Sequence, residues 1–175
     1  PAFMASWVAF AASRVGASSR GGVRYFALDN EPMLWNSTHR DVHPQPPTYD
    51  EIWNRGLAVA AAVKAQDPTA QILGPDTWGW CDLWTSAADA ASGVSCIDGP
   101  DRQAHGGLPF VAWYLAQSCA ELGSTGVRPI DFLDVNYYTR HVVQSPLLRR
   151  EAGPVAKRER TDMGWEVFPA GLVDV

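Results

Sequence analysis

Residues 23–32 read VRYFALDNEP, and this segment contains the clearest structural signal in the 175-residue chain. The run from Val23 to Leu28 is rich in β-branched, aromatic and aliphatic side chains, which predicts a buried strand. Gly21 and Gly22 precede it, and the polar residues 29–32 follow it directly. The segment therefore predicts a strand that ends abruptly in groups capable of chemistry.

The sequence on either side of this strand alternates between helical and strand patterns. Alanine-rich residues at helical spacing predict the first helix, and the pattern Thr48-x-x-Glu51 predicts a capping box at the start of the second. The predicted elements are helices at 3–15, 48–66 and 109–122 and strands at 23–28, 71–74 and 130–138. This alternation predicts an α/β fold with parallel strands, in which functional groups gather at the carboxyl ends of the strands.

Two regions depart from this alternation. The connection from about Pro75 to Leu108 is long, and connections of that length in compact domains are usually functional or disordered. Residues 140–160 have weak periodicity and clustered charges, which predicts an irregular stretch. A closed eight-stranded barrel takes about 250 residues. With three strand-helix units, the chain is expected to form a partial (β/α)₈ TIM barrel that stops before closure.

Composition excludes several classes of partner. The net charge is −5 and the chain has no long stripe of Lys and Arg, which argues against nucleic acid and anionic membranes. No apolar run reaches about 18 residues, and the opening residues 1–4 lack the charged start of a signal peptide. A neutral ligand fits this charge balance better, and the eight tryptophans are more than packing usually requires.

Glu31 is the candidate catalytic residue. Because it directly follows a buried strand, its carboxyl group is expected to project into the active-site face and to serve as a general acid. Asn30 is expected to hydrogen-bond a sugar hydroxyl beside it. The alternative interpretation is a turn in which Glu31 is a solvated carboxylate.

The tryptophans divide into two sets. Trp35, Trp78, Trp80 and Trp84 follow strand ends, where flat indoles can stack on sugar rings; the alternative is that they pack the loops against the rim. The tryptophans in predicted helices, at positions 7, 53 and 113, are expected in the core.

No cofactor is expected, and two metal hypotheses stay open. Asp89, Asp98 and Asp101 lie in the long loop and are candidate calcium ligands, although their spacing matches no EF-hand. His39, Asp41 and His43 alternate as metal ligands can, and the alternative is ordinary hydrogen bonding.

The three cysteines leave one question open. Cys81 and Cys96 lie in the same loop and are candidates for a disulfide, whereas Cys119 lies in a predicted helix. The alternative is three buried thiols.

Residues 1–134 resemble glycoside hydrolase family 44, the endoglucanase and xyloglucanase family. The matching motifs are 25-YFALDNEPMLW-35, 38-THRDVHP-44, 48-TYDE-51 and 73-LGPDTWGW-80. The resemblance implies that Glu31 is the acid/base at the end of the fourth barrel strand and that the next two strands are the fifth and sixth. It also implies an extracellular protein that acts on β-1,4-glucan such as cellulose, xyloglucan or cello-oligosaccharides.

Residues 131–175 look instead like glycoside hydrolase family 1, the β-glucosidases. The matching motifs are 131-DFLDVNYYTR-140 and 161-TDMGWEVFPAGL-172. This resemblance implies that Asn136 and Tyr138 face the active site. The chain is therefore expected to be a chimera, with a family 44 catalytic part at 1–139 and a family 1 segment at 140–175.

The second catalytic carboxylate is the main departure from both families. Retaining hydrolysis needs two carboxyl groups about 5 to 5.5 Å apart. By resemblance the nucleophile comes from the seventh strand, which would follow Val175, so the usual nucleophile is absent from this chain; Glu166 and Asp76 are weaker substitutes. The alternative function is a non-catalytic carbohydrate-binding or self-assembling half-barrel, since open strand edges favour a homo-oligomer.

Overall fold

Two parallel strands form the sheet of the structure, a computed structural model that describes residues 1–28, 30–94 and 96–133. Strand β1 is Tyr25–Ala27 and strand β2 is Gln71–Leu73, with Phe26 opposite Ile72. A single parallel bridge joins Leu73 to Phe132, and the Gly74 N–H donates to the Phe132 carbonyl at 3.0 Å. Three segments of chain therefore run side by side in one direction.

The helices occupy the connections between these segments. They are α1 (Ala2–Val15), α2 (Trp35–Thr38), α3 (Tyr49–Gln66), α4 (Ala87–Ala91), α5 (Pro100–Ala104) and α6 (Phe110–Thr125), with 3-10 turns at Ser18–Arg20, Pro32–Leu34 and Trp80–Leu83. α3 begins where the Thr48 hydroxyl accepts the Glu51 N–H at 3.2 Å. α6 ends at Gly126, whose φ of 72° is left-handed, the usual termination of a helix by glycine. None of the helices in the described part of the chain is long and apolar enough to cross a membrane.

The core lies between one face of the sheet and the helices. Phe26 and Ile72 point into it, whereas Tyr25 on the opposite face is 53% exposed. α1 packs on α3 through residues such as Val8 and Val63, both 1% exposed. Among the described residues, helices therefore cover one face of the sheet and leave the other open.

Tyr49, the first residue of α3, holds the long connection between β2 and α6. Its side chain is fully buried, and its hydroxyl donates to the Trp84 carbonyl at 2.7 Å while lying 3.2 Å from the Leu108 carbonyl. Its backbone N–H donates to Asp101 at 2.9 Å. Tyr49 thus ties several points of the connection to the helical layer through its side chain and its backbone.

The α/β class and the three long helices are confirmed, with ends within a few residues of the predicted ones. The capping box differs in one respect, because the Glu51 carboxylate bonds His43 and Arg55 while only Thr48 acts as a cap. β1 is shorter than predicted, with Val23 exposed ahead of it. The predicted irregular stretch at 140–160 lies outside the described residues.

The long connection is not a simple loop. It contains the short helices α4 and α5. The fully buried carboxylate of Asp89 joins these two helices. Asp89 accepts backbone N–H groups from Ser86 at 3.3 Å, Asp101 at 2.7 Å and Arg102 at 3.2 Å. These bonds place the carboxylate at the start of both short helices, where an anion is favourable.

Candidate active site

Glu31 lies at the carboxyl end of β1 and has an unusual backbone. Its φ of 53° and ψ of 56° are left-handed, and it is the one residue other than glycine with a positive φ in the described part of the chain. Its N–H donates to the Asp76 carbonyl, and its own carbonyl accepts the Leu34 N–H, both at 2.9 Å. Strained backbone of this kind persists only where the surrounding structure holds it in place, and it clusters at functional sites.

The polar residues after β1 meet those after β2, as expected for parallel strands. Asn30 forms a parallel bridge with Asp76 beyond the ends of both strands. Asn30 is exposed and Glu31 is half-buried, whereas Asp76 is buried. The predicted pair of Asn30 and Glu31 therefore lies at the edge of the sheet where parallel α/β proteins place their chemistry.

Asp82 is a buried carboxylate in the same region that the sequence did not single out. It is 9% exposed and accepts the backbone N–H groups of Trp78 and Gly79, each at 3.2 Å. Burial and, to a smaller extent, the negative charge of Glu31 raise the pKa of Asp82 to about 6, against the effect of those two bonds. The charge of Glu31 thus acts on a second acidic side chain at this edge.

Trp78 and Trp80 stand out from the surface on either side of Gly79. Their exposed fractions are 53% and 68%, the exposure expected of sugar-stacking indoles. The ring of Trp80 lies 5.6 Å from that of Trp84, which is half-buried. Glu31 therefore lies in the segment that follows β1, and Trp78 and Trp80 lie in the segment that follows β2.

Trp35 is placed differently. It is 8% exposed, its ring lies 5.3 Å from that of His43, and the Arg55 guanidinium lies 5.7 Å above it. The indole is packed under the loop rather than open to a ligand, and its role in glucan binding stays a prediction. Asn136 and Tyr138 lie outside the described residues.

His43, Glu51 and Arg55 form an ion-pair cluster against Trp35. His43 Nε2 and Arg55 Nη2 each lie 2.8 Å from Glu51 Oε1. Burial acts to raise the pKa of Glu51, but the bonds from His43 and Arg55 outweigh it and hold that pKa below its ordinary value. A cavity of about 310 Å³ lies beside this cluster and behind Pro32.

The metal hypotheses gain no support from the geometry. Among residues 1–28, 30–94 and 96–133, no group of three or more His, Cys, Asp or Glu side chains is placed to hold an ion. Asp89 serves as a helix cap, and Asp98 accepts the Gly99 N–H at 2.8 Å. His43, one of the two histidines of the other hypothesis, is paired with Glu51.

The cysteines are free thiols. The candidate disulfide between Cys81 and Cys96 is therefore not formed, and because Cys81 and Cys119 are exposed and Cys96 is half-buried, the alternative of three buried thiols is wrong as well. A hydrogen bond with Cys96, together with burial, raises the pKa of Cys81 to about 11. The two loop cysteines are therefore neighbours, as their positions in the sequence suggested.

Comparison with known proteins gives one family. The family model described as glycoside hydrolase family 44 matches residues 1–141. The "Beta-mannanase/endoglucanase A" of Caldicellulosiruptor saccharolyticus is 32% identical over 137 residues, which are 78% of this chain and 10% of that protein. The match extends past residue 134, where the resemblance to family 44 was expected to end.

Solved structures agree with the sequence match. The chain is similar to CelM2, a bifunctional glucanase-xylanase from a metagenome library, with a TM-score of 0.73 and 42% identity over 78% of this chain and 27% of that one. It is also similar to a family 44 xyloglucanase from Paenibacillus polymyxa, solved with xyloglucan, with a TM-score of 0.66 and 32% identity over 77% of this chain and 25% of that one. The chain thus spans about a quarter of these structures.

Proposed function

The chain belongs to glycoside hydrolase family 44, and from this membership we propose that it is part of a module that hydrolyses β-1,4-glucan, with Glu31 as the general acid/base. The observation that carries the proposal is the backbone of Glu31. It is held left-handed at the carboxyl end of a parallel strand by a bond to Asp76. Such a conformation is costly for a residue with a side chain, and a functional role explains its presence.

The chemistry follows from a half-buried carboxyl group at an accessible edge. As a carboxylic acid, Glu31 donates a proton to the glycosidic oxygen while the bond to the anomeric carbon breaks. In the retaining pathway a second carboxylate attacks that carbon and forms a glycosyl ester as the leaving oxygen departs. Glu31, now a carboxylate, then takes a proton from a water molecule, which attacks the same carbon and displaces the second carboxylate. Resemblance to the family assigns the second carboxylate to a glutamate on the seventh barrel strand.

The exposed indoles support a glucan as the substrate. Trp78 and Trp80 offer flat apolar surfaces that suit the faces of glucose rings, and they follow Asp76, whose carbonyl accepts the Glu31 N–H. Asn30, which is exposed and forms a bridge with Asp76, offers a side-chain amide to a sugar hydroxyl. Asn136 and Tyr138 complete the proposed binding set by their resemblance to family 1, and Trp35 is proposed to support it from beneath the loop, where it is buried.

The finer architecture of the proposal is a partial (β/α)₈ barrel. Three parallel segments with helices on one face match the arrangement of a barrel wall, and the opposite face corresponds to the barrel interior. On that face Tyr25 and Phe132 are 53% and 48% exposed, with ring centroids 6.3 Å apart. These exposed aromatics favour the second candidate function, a self-assembling carbohydrate-binding module that covers this face with another copy.

The chimera is a further part of the proposal. Residues 131–175 would come from a family 1 β-glucosidase, which supports cleavage of terminal glucose as an alternative activity. Assays with 4-nitrophenyl β-glucoside and with soluble β-glucan distinguish the two: the β-glucosidase activity predicts turnover of the aryl glucoside, and the endoglucanase activity predicts a fall in the viscosity of the polymer.

The decisive experiment replaces Glu31 with glutamine in the 175-residue chain. We expect Glu31→Gln to reduce activity on soluble β-glucan by well over tenfold, because glutamine cannot donate the proton. Glu121→Gln, on α6, is the matched control and should leave activity unchanged. Equal activity in Glu31→Gln and the unaltered chain would contradict the assignment. If neither form is active but both bind glucan, the result favours the non-catalytic binding module.

A further inference from the structure

Asp82 has a role that hydrolysis by Glu31 does not account for. It lies in the turn Trp80–Leu83, and its carboxylate reaches back to the backbone N–H groups of Trp78 and Gly79, each at 3.2 Å. The Asp82 N–H in turn donates to the Gly79 carbonyl at 3.1 Å. These three bonds close a compact turn around Gly79, which we call the tryptophan turn and define as Trp78, Gly79 and Trp80.

The tryptophan turn is anchored to the site at its other end as well. Asp76 lies two residues before Trp78, and its carbonyl accepts the Glu31 N–H at 2.9 Å. Asp82 itself is close enough to Glu31 for the two charges to interact. The turn is therefore fixed between a backbone bond to Glu31 and the buried carboxylate of Asp82.

The conformation of this turn decides what the indoles present to solvent. Trp78 and Trp80 are both exposed on the surface, although the residue that holds them, Asp82, is 9% exposed. A side chain buried to that degree makes no contact with a ligand bound to the outer faces of the indoles. Its effect on binding must pass through the turn, by fixing the two rings before a ligand arrives.

We propose that Asp82 is a positioning residue for glucan binding: its carboxylate holds the tryptophan turn so that two indole faces stand ready beside Glu31. This inference rests on the proposed function, since it assumes a glucan on the tryptophans. It adds to that function a residue that shapes the binding surface without touching the sugar. An acceptor at position 82, rather than a charge, is the required feature.

The test compares Asp82→Ala with Asp82→Asn in the 175-residue chain. Alanine removes both acceptor bonds, whereas asparagine keeps a side-chain oxygen for the Trp78 and Gly79 N–H groups. We expect Asp82→Ala to weaken cellohexaose binding by about tenfold in isothermal titration calorimetry and Asp82→Asn to bind within about threefold of the unaltered chain. Asp41→Ala, which removes an exposed carboxylate before α3, is the control for loss of charge.

A spectroscopic measurement separates positioning from general loss of structure. Near-ultraviolet circular dichroism reports the tryptophan environment, and far-ultraviolet circular dichroism reports the helices. In Asp82→Ala we expect the near-ultraviolet spectrum to change and the far-ultraviolet spectrum to stay the same. In Asp82→Asn we expect both spectra to stay the same.

Three outcomes would overturn the proposal, and they are distinguishable from one another. Unaltered affinity in Asp82→Ala would show that the turn needs no acceptor at position 82. Equal loss in Asp82→Ala and Asp82→Asn would show that the charge, not the acceptor, is required. If the unaltered chain fails to bind cellohexaose, the proposed function itself fails and takes this inference with it.

Discussion

At the scale of single residues, Glu31 combines two demands that usually exclude each other. Its left-handed backbone suits glycine, whereas the proposed chemistry requires a carboxyl side chain at the same position. The cost of that conformation for a residue with a Cβ atom is roughly 1 kcal/mol. The bonds to Asp76 and Leu34 hold the residue in place despite this cost.

This conflict predicts that two small replacements of Glu31 differ in stability although both lose activity. We expect Glu31→Gly to be more stable than Glu31→Ala by about 1 kcal/mol in urea unfolding, because both lack the carboxyl group and only alanine keeps the Cβ atom. Both variants should be inactive on soluble β-glucan. Equal stability of the two would show that the backbone at Glu31 is not strained.

Asp82 supplies a second prediction at this scale, through its raised pKa of about 6 against an ordinary value of 3.8. Below about pH 4 the group is protonated in both the folded and the unfolded chain. Between pH 4 and 6 the unfolded chain ionises first, so stability falls as pH rises and stays lower above pH 6. We expect Asp82→Asn to remove this fall, so that above pH 6 it exceeds the unaltered chain by about 1 to 3 kcal/mol.

Urea unfolding at pH 3 and pH 7 measures this difference. The gain of Asp82→Asn should be present at pH 7 and nearly absent at pH 3, where Asp82 is mostly protonated in both the folded and the unfolded chain. A gain of the same size at both pH values would exclude ionisation of Asp82 as its cause.

Sequence alone identified Glu31 but not Asp82, and the reason is physical. The Asn-Glu-Pro motif after a strand is a local pattern, so Glu31 could be assigned from its neighbours in the chain. The influence of Glu31 on Asp82 depends on how the segment after β2 folds back, which no spacing in the sequence encodes. Trp35 shows the same limit, because a tryptophan in a loop carries no local sign of whether it faces solvent or packs.

At the scale of elements, the short helices of the long connection depend on contacts rather than on periodicity. α4 and α5 have five residues each, too few to show a helical pattern, and so the sequence predicted only a loop. α3 and α6 were predictable because 18 and 16 residues show both periodicity and end signals. What holds the short pair is the Asp89 carboxylate and the ring of His105, which stacks on Tyr49 at 4.9 Å.

His105 makes the junction of α5 with α3 sensitive to pH. Its Nε2 lies 3.2 Å from Asp50 Oδ1, and its Nδ1 lies 2.7 Å from the Asp101 carbonyl. Burial acts to lower the pKa of His105, but these acceptors outweigh it and raise that pKa above 6.5. The stabilisation is therefore fully present below pH 6.5 and is lost as pH rises through the higher folded-state pKa.

We expect Asp50→Asn to lower the pKa of His105, measured by nuclear magnetic resonance of the imidazole protons. Because the Asp50 side chain is 67% exposed, the accompanying loss of stability below pH 6.5 should be less than about 1 kcal/mol, and it should vanish at higher pH. Asp41→Asn, on an exposed residue of another loop, should leave the His105 titration unchanged. An unchanged titration in Asp50→Asn would show that Asp50 does not contribute.

At the scale of the whole molecule, the dominant feature of the described residues is a sheet that helices cover on one face only. Its open face presents Tyr25 and Phe132, and α1 exposes Phe3 and Phe10. The alternation of strands with helices predicted the parallel strands of a partial barrel. It could not predict which face of the sheet is open, because that depends on the side on which the helices pack. Exposed apolar surface of this kind favours association.

We expect the 175-residue chain to sediment as a dimer or larger species, with an average mass that increases with concentration. Tyr25→Asp should shift it toward the monomer, because a charge on the open face opposes its burial. Ile97→Asp, which adds the same charge to a residue that is also exposed, is the control and should leave association unchanged. A compact monomer at every concentration would contradict the assembly proposal.

The anchoring of the long connection at Tyr49 also bears on how such a protein can diverge. A single hydroxyl group lies against carbonyls at Trp84 and Leu108, so the two ends of the intervening segment are held at one point. Insertions and deletions at the exposed positions of this segment can then accumulate over generations without displacing Glu31. A lineage that keeps the proposed acid in place is thus free to acquire new substrate preferences there.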